Sequence, residues 1–423
     1  MQLYKYLPLP SDRMGTLWAL SSIKDAYIIE YGPAGTTHYS IEGFMQMNAE
    51  LRANLYTTHM DETNVVMGDC KRLEETIKEI DDVYNPSVIF VLASAISSII
   101  GTDILNICDN LKQQVRAKLV ALTGEGFRGD YTVGINEALT ALALHVVEDS
   151  EDKIPDSYNI IGCNIDNFNY ASDINEIQNL MKEYFGYRLN AVFTADSSIS
   201  KIKEASKAEF NIVIRTEGIE CAKILKERYK IPYYIGCPYG FNGTVNWLKG
   251  IEETFGIRGD EIFIKQQIKN KANLLMRIKQ LTFSLSKLKG ILSGNIDFAA
   301  NILPYLTDEL GIEITKIIVN HTLQNKSDCI IDQTISKKFL FNLSEEEKQE
   351  LIDIEEPQIL IGDGVLLRIG EKVPIKIQVS NPNLQQIKVY NNTPFMGFNG
   401  AVYLLEILLN QISNNYKHLK SNF

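Results

Sequence analysis

Continuous runs of β-favouring apolar residues alternate along this chain with stretches of helical period. Ser87-Val88-Ile89-Phe90-Val91-Leu92 follows Pro86. Lys118 to Leu122, Asn159-Ile160-Ile161-Gly162, Ala191-Val192-Phe193, Asn211-Ile212-Val213-Ile214 and Tyr233-Tyr234-Ile235-Gly236 share its character. Runs that do not alternate apolar with polar suit strands covered on both faces, as in parallel sheets. Between them the spacing predicts helices. Ser172-Asp173 is read as the N-cap of Ile174 to Phe185, with Leu180, Met181 and Tyr184 on its apolar side, and Ser198 to Ala208 and Glu220 to Tyr229 follow. From near Lys287 a third block gives Leu288 to Leu292 as a strand, Gly294 as a turn, Asp297 to Leu310 as a helix and Lys316 to Val319 as a strand. Ser344 and Glu347 stand in capping-box spacing at the head of Ser344 to Ile352. Gln358 to Ile361 is a further strand, and Phe398 to Ile412 a long amphipathic terminal helix.

Repetition of strand, turn and helix predicts an α/β protein of three doubly wound, Rossmann-like domains with mainly parallel sheets around a central cleft. The length of 423 residues suits about three domains at roughly 150 residues each. The acidic run Glu148-Asp149-Ser150-Glu151-Asp152 and a second boundary near 283 divide the chain into 1–152, 153–283 and 284–423.

Composition narrows the class. Hydrophobic residues at 45% and charged residues at 22% exclude disordered and collagen-like chains. A formal net charge of -11, with no basic cluster, argues against nucleic acid and anionic membrane surfaces as partners. Val88 to Ile104, the longest apolar stretch, is interrupted by Ser94, Ser97, Ser98 and Thr102 and is too short and polar to span a bilayer. Met1 to Tyr6 lacks the basic start and apolar core of a signal peptide, so a cytoplasmic location is expected. The six cysteines contain no C-x-x-C, which removes local zinc ribbons, thioredoxin-type redox motifs and ferredoxin-type runs. Each thiol reads as buried and reduced, or as a ligand assembled with distant positions or another chain.

Four loops carry the candidate chemistry. Tyr31-Gly32-Pro33-Ala34-Gly35-Thr36-Thr37-His38-Tyr39 lets backbone N–H groups approach a ligand, or is a plain tight turn. Gly124-Glu125-Gly126-Phe127-Arg128-Gly129, before a helix at Asn136 to Val147, reads as a ligand-gripping loop in which Arg128 can hold an anion or a polar group. It is not a dinucleotide fingerprint, and no P-loop occurs, so ATP hydrolysis by this chain is not expected. Gly236-Cys237-Pro238-Tyr239-Gly240-Phe241-Asn242-Gly243-Thr244 ends a strand and points Cys237 toward the expected cleft, or is a turn with a buried Cys. Asn391 to Gly400 precedes the last helix. His321 follows a strand and either faces the cleft or is a hydrogen-bonded surface residue. No G-x-S-x-G or H-E-x-x-H supports a serine hydrolase or zinc protease.

In this order the loops resemble the nitrogenase component 1 family, which includes nitrogenase subunits, cofactor-assembly scaffolds and dark-operative protochlorophyllide reductases. The anchors are Gly32-Pro33-Ala34-Gly35, Val66-Met67-Gly68, Ile99-Ile100-Gly101-Thr102-Asp103-Ile104, Gly124 to Gly129 and Gly397-Phe398-Asn399-Gly400. The resemblance implies paired subunits, electrons from a separate ATP-hydrolysing iron–sulfur reductase, and an iron–sulfur cluster between subunits. The positions it gives to cluster cysteines are Ser11, Thr36 and Ala95 here. Those it gives to the nitrogenase cofactor's cysteine and histidine are Ala222, with Cys221 one residue away and about 100° around a helix, and Met396, and the one it gives to a histidine important in nitrogen reduction is near Ile135.

The resulting expectation is one subunit of a nitrogenase-like, ATP-dependent oxidoreductase complex that reduces a substrate other than dinitrogen. Its partners would be a homologous component 1-like subunit, or a second copy, and the iron–sulfur reductase. The cofactor stays open, an iron–sulfur cluster supplied mainly by the partner being what the resemblance allows. The alternative is a non-catalytic scaffold or carrier for metallocofactor assembly. Arg128 and Cys237 are the expected catalytic residues. Gly35, Thr36, Gly124, Glu125, Gly126, Cys163, Tyr239, His321 and Gly397 are the expected cofactor-binding residues. Arg128, Cys163, Cys237, Tyr239 and His321 are expected to share one cleft at strand carboxyl ends.

Overall fold

The computed structural model describes residues 5–45, 47, 51–68, 70–124, 126–277, 285, 288–322, 336–384, 386 and 392–420. Three parallel sheets organise them, in the orders β2 (Asn54–Thr57), β1 (Tyr27–Tyr31), β3 (Val88–Ala93), β4 (Lys118–Leu122); β6 (Arg188–Thr194), β5 (Ser157–Cys163), β7 (Phe210–Val213), β8 (Tyr233–Ile235); and β11 (Phe339–Phe341), β10 (Glu313–Val319), β9 (Lys289–Gly294), β12 (Ile359–Gly362), β13 (Ile375–Gln378). Every residue of β3 and β5 is buried: β3 is an unbroken apolar run, and in β5 the buried Asn159 is satisfied by donating to Ala205 O at 2.9 Å and Asn211 Oδ1 at 2.8 Å. In each sheet the chain starts at an inner strand and grows outward in both directions. The strand order therefore reverses at β1/β3, β5/β7 and β9/β12, where open α/β sheets form ligand crevices. Among the described residues no helix is long and apolar enough to cross a membrane.

The described chain forms two compact units. The first, the N unit, is Leu9–Ile165 with Leu189–Tyr233. Ile29, Ile77, Ile89, Val91 and Leu111 centre one of its cores. The helix Asp12–Ser21, which the sequence pattern does not reveal, is buried at all ten positions. A helix covered all round has no apolar stripe, so the periodic signal is missing. It lies on the helix Tyr131–Ala141, which starts a turn earlier than the expected Asn136. Gly15 and Gly134 form the contact: a Cβ on Gly15 would stand 2.6 Å from the carbonyl carbon of Tyr131, and one on Gly134 would stand 2.6 Å from the Thr16 nitrogen.

The second, the C unit, comprises Met1–Pro8, Asp166–Arg188 and Tyr234–Phe423. Ile291, Ile318, Ile352, Leu360 and Leu366 pack under the third sheet. The capping box of Ser344 and Glu347 heads the helix Glu345–Glu355 as expected. The expected cap Ser172-Asp173 is corrected. The helix starts at Tyr170, and both side chains turn away from their own helix to hold the segment before the terminal helix. That helix runs Gly397–Lys420.

Candidate functional site

The first strand reversal is built from glycine. β1 leads through Gly32-Pro33 into the helix Ala34–Met45, and β3 leads into the helix Ala95–Ile99, where Ser94 and Ser97 form a reciprocal cap. A Cβ on Gly32 would lie 2.5 Å from Ser94 Oγ and 3.3 Å from Thr36 Oγ1, so glycine alone lets these two loops touch. Gly126, at φ +86, faces the same place: its Cβ position is 3.8 Å from Ser11 Oγ and 3.9 Å from Ala95 Cβ. Thr36 is thus gathered at Gly32, and Ser11 and Ala95 at Gly126, although they come from three separate segments at helix starts. Beneath them lies an ion pair. Glu30 is fully buried and accepts from Arg13, from Thr37 Oγ1 at 2.8 Å and from Thr36 Oγ1 at 3.3 Å, and Arg13 Nη2 also donates to Ser40 Oγ at 3.0 Å.

Other expected residues of the N unit divide by exposure. Gly35 is exposed, and a Cβ there would meet nothing within 4 Å. Gly124 is enclosed by Thr16 Oγ1 and Glu137 Oε2, at 3.0 and 3.4 Å from its Cβ position. Glu125 lies outside the described residues. Arg128 is half-exposed, donates to Thr123 Oγ1 at 2.8 Å and stands 3.6 Å from Glu137 Oε2. Cys163 ends β5 at 1% exposure, and its carbonyl accepts the Ala195 N–H at 2.9 Å. At the second reversal, Gly162 backs onto Arg215, whose buried guanidinium is paired with Glu217 at 2.8 Å. Burial pushes the Cys108 thiol up to about 12 and also raises that of Cys221, so both stay protonated.

In the C unit, β8 runs into Gly236-Cys237-Pro238-Tyr239-Gly240 and the helix Phe241–Phe255. Cys237 lines a cavity of about 450 Å³ with Tyr234 and Trp247. Tyr239 is buried with its ring edge-on to Phe298 at 5.5 Å, and its backbone bridges to Met396. Gly397 donates its N–H to Pro238 O at 2.6 Å. Cys237, Tyr239 and Gly397 are therefore brought together. Gly397 sits at φ +74 with its Cβ position 2.8 Å from Glu176 Cδ, so the glycine answers to Glu176. His321 is buried at 3%. Its Nε2 accepts the Ile296 N–H at 3.2 Å, and its Nδ1 is 3.0 Å from Thr322 O.

Asp173 and Glu176 are residues that the motif reading misses. Asp173 Oδ1 accepts the N–H groups of Phe395 and Met396 at 2.7 and 3.0 Å, and Glu176 accepts from the backbone and side chain of Asn399 at 3.2 and 2.8 Å. Their i, i+3 spacing among Ile174, Ile177 and Leu180 is the signal that could have found them: carboxylates on a buried helix face need partners. Burial raises the Glu176 carboxyl above its ordinary range, and the bonds from Asn399 offset this in part. A raised folded-state value means that stability falls as pH rises from the unfolded value, about 4.3, through the folded one. Glu176→Gln is expected to flatten that slope in thermal melts run upward from about pH 4.3. Parallel slopes for both proteins would contradict the assignment.

Among the described residues no group of three His, Cys, Asp or Glu side chains could hold a metal ion. The Ser11, Thr36 and Ala95 group does not fit an iron–sulfur cluster: it offers no thiolate, and Ala95 offers no donor.

The sequence profile described as Nitrogenase component 1 type Oxidoreductase matches residues 11–413. The chain belongs to this family. Among its component 1-type relatives, the nitrogenase iron-molybdenum cofactor biosynthesis protein NifE of Methanococcus maripaludis is 29% identical over 63% of this chain and 56% of that protein. NifE of Clostridium pasteurianum is 31% identical over 57% and 53%. The chain thus spans about half the length of these curated relatives. A light-independent protochlorophyllide reductase subunit of Nostoc punctiforme is 21% identical over 98% of this chain and 84% of that one. The solved structure "Nitrogenase Cp1 at pH 6.5" matches with a TM-score of 0.79 at 17% identity, covering 99% of this chain and 96% of that chain, which shows the shared fold.

Proposed function

We propose that this chain is one subunit of a nitrogenase-like, ATP-dependent oxidoreductase complex, reducing a substrate other than dinitrogen with electrons from a separate iron–sulfur reductase. The observation that carries this reading is the first strand reversal. Thr36 is gathered at Gly32, and Ser11 and Ala95 at Gly126, yet none of them is a thiolate. That geometry suits one half of a shared site whose ligands come mainly from a homologous partner. Similarity along 98% of the chain to a protochlorophyllide reductase subunit supports a substrate other than dinitrogen. So do Ala222, Met396 and Ile135, buried apolar residues with neither thiolate nor imidazole. In this reading Arg128 supplies a half-exposed cation for a polar or anionic group, and Cys237 a thiol within a cavity.

A second reading, a scaffold or carrier for metallocofactor assembly, is favoured by the higher identity to biosynthesis proteins, 31% with NifE of Clostridium pasteurianum over 57% of this chain and 27% with NifE of Methanosarcina barkeri over 74%. Anaerobic purification of the tagged chain with and without neighbouring gene products separates the two. The reductase reading expects a companion component 1-type chain, iron and acid-labile sulfide in the pair, and far less than about four irons on the isolated chain. About four irons per isolated chain, with the absorption of a cluster, would overturn the shared-site reading. A metallocofactor that leaves the chain for another protein without ATP-dependent turnover would favour the scaffold.

A further inference from the structure

We propose that the cavity beside Cys237 binds a small polar organic molecule that is neutral or cationic, and discriminates against anions. The inference rests on the C unit's own cavity and does not depend on the reductase reading. The volume, about 450 Å³, lies within the usual span of small-molecule sites, about 300–1,000 Å³. Its wall has three kinds of surface. Tyr234, Trp247 and Pro304 give it an apolar and aromatic side. Asn242, Asn246 and Asn301 give it side-chain amides, each both donor and acceptor. Asp308 and Glu309 give it carboxylates, and among the described residues no Lys, Arg or His lines it.

The electrostatics follow from how those groups are already engaged. Lys271 Nζ donates to Glu309 Oε2 at 2.7 Å and to Asn242 Oδ1 at 3.0 Å, and Glu309 Oε1 accepts the Asn242 N–H at 3.0 Å, so the Glu309 charge is matched and the Asn242 oxygen is engaged. Asp308 accepts from the neutral Thr307 hydroxyl at 2.7 Å, a bond that brings no countercharge, and so leaves the wall net negative. An anion entering here meets a like charge without a cationic side chain in the lining, whereas an ammonium or amide head finds Asp308 and the oxygens of Asn246 and Asn301. The shape is fixed by the fold. Gly240, at φ +74, lets the loop pass Tyr305 and Glu309, with its Cβ position 2.7 Å from each, and Trp247 Nε1 donates to Gly236 O at 2.9 Å. Asn301 is pinned through its Nδ2, which donates to Asp297 O at 2.7 Å and leaves its oxygen as acceptor.

Cys237 is a built-in reporter. The native full chain is treated with two methanethiosulfonates of similar size, one ending in trimethylammonium and one in sulfonate, and modification is followed by mass spectrometry of the Cys237 peptide. The expected rate ratio, cation over anion, is at least about tenfold above that of mercaptoethanol, and Asp308→Asn removes most of the excess. Without any substitution, millimolar benzylamine is expected to slow labelling at Cys237 at least about threefold, while benzoate does not, as site occupancy requires. A ratio equal to that of mercaptoethanol, equal protection by benzoate, no effect of Asp308→Asn, or no native labelling of Cys237 by either reagent would each overturn the proposal.

Discussion

Gly134→Ala is expected to destabilise the protein by about 3 kcal/mol or more, and Gly15→Ala by a similar amount, in urea or thermal unfolding. Overpacking a core usually costs about 1–3 kcal/mol when side chains can shift. Here the new methyl would collide with main-chain atoms of the facing helix: Asp12 O for Gly134, Tyr131 O for Gly15. Those atoms are held by helical hydrogen bonds, so the helices Asp12–Ser21 and Tyr131–Ala141 must separate. Every residue on the first of them is buried, which spreads the loss. The opposing gain, the helical preference for alanine over glycine, is about 1 kcal/mol and does not reverse the sign. Gly35→Ala is the control. It lies in the helix Ala34–Met45 with nothing within 4 Å of its Cβ position, and is expected to be neutral or slightly stabilising. Wild-type stability for Gly134→Ala would mean that the two helices do not pack through these glycines.

Arg13→Met is expected to cost about 3–5 kcal/mol, because it leaves the Glu30 carboxylate buried with hydroxyl partners only. Glu30→Gln should cost less, since an amide keeps part of the hydrogen bonding without an unpaired charge. The double substitution Arg13→Met/Glu30→Gln should be more stable than Arg13→Met alone, with a coupling of about 1–3 kcal/mol in the cycle. Strict additivity would show that the pair does not act as a unit. The prediction also reaches the site. Thr36 donates to Glu30, and the helix from Ala34 starts over this pair, so the geometry around Gly32 depends on two buried residues.

Legibility of the sequence follows burial. β3 is readable because both of its faces are covered, which writes an uninterrupted apolar run; β4, β5 and β7 are readable from mostly buried apolar runs that admit Lys118, Asn159 and Asn211. The helix Asp12–Ser21 is not, because burial on every side erases the stripe that periodicity detects. The glycine loops are legible at the right strand ends, but their reasons are not. Gly32 answers to Ser94 in the next loop, and Gly397 to Glu176, on a helix whose bonds to Asn399 span 223 residues. Cys163 illustrates the limit at strand ends. The position at the carboxyl end is readable, whereas the direction of the side chain depends on the pleat, and the thiol is buried.

The C unit takes the segment Asp166–Arg188 from between two stretches of the N unit. This fixes an order of events during synthesis. The helix Tyr170–Phe185 leaves the ribosome well before its partners, and Asp173 and Glu176 lack these backbone and amide donors until Phe395, Met396 and Asn399 emerge, 222 to 223 residues later. All N-unit sequence precedes Tyr234, so that unit can close first, while the C unit must keep one of its own helices waiting for more than half the length of the chain. A chain cut short before Phe395 would leave those two carboxylates without their backbone partners.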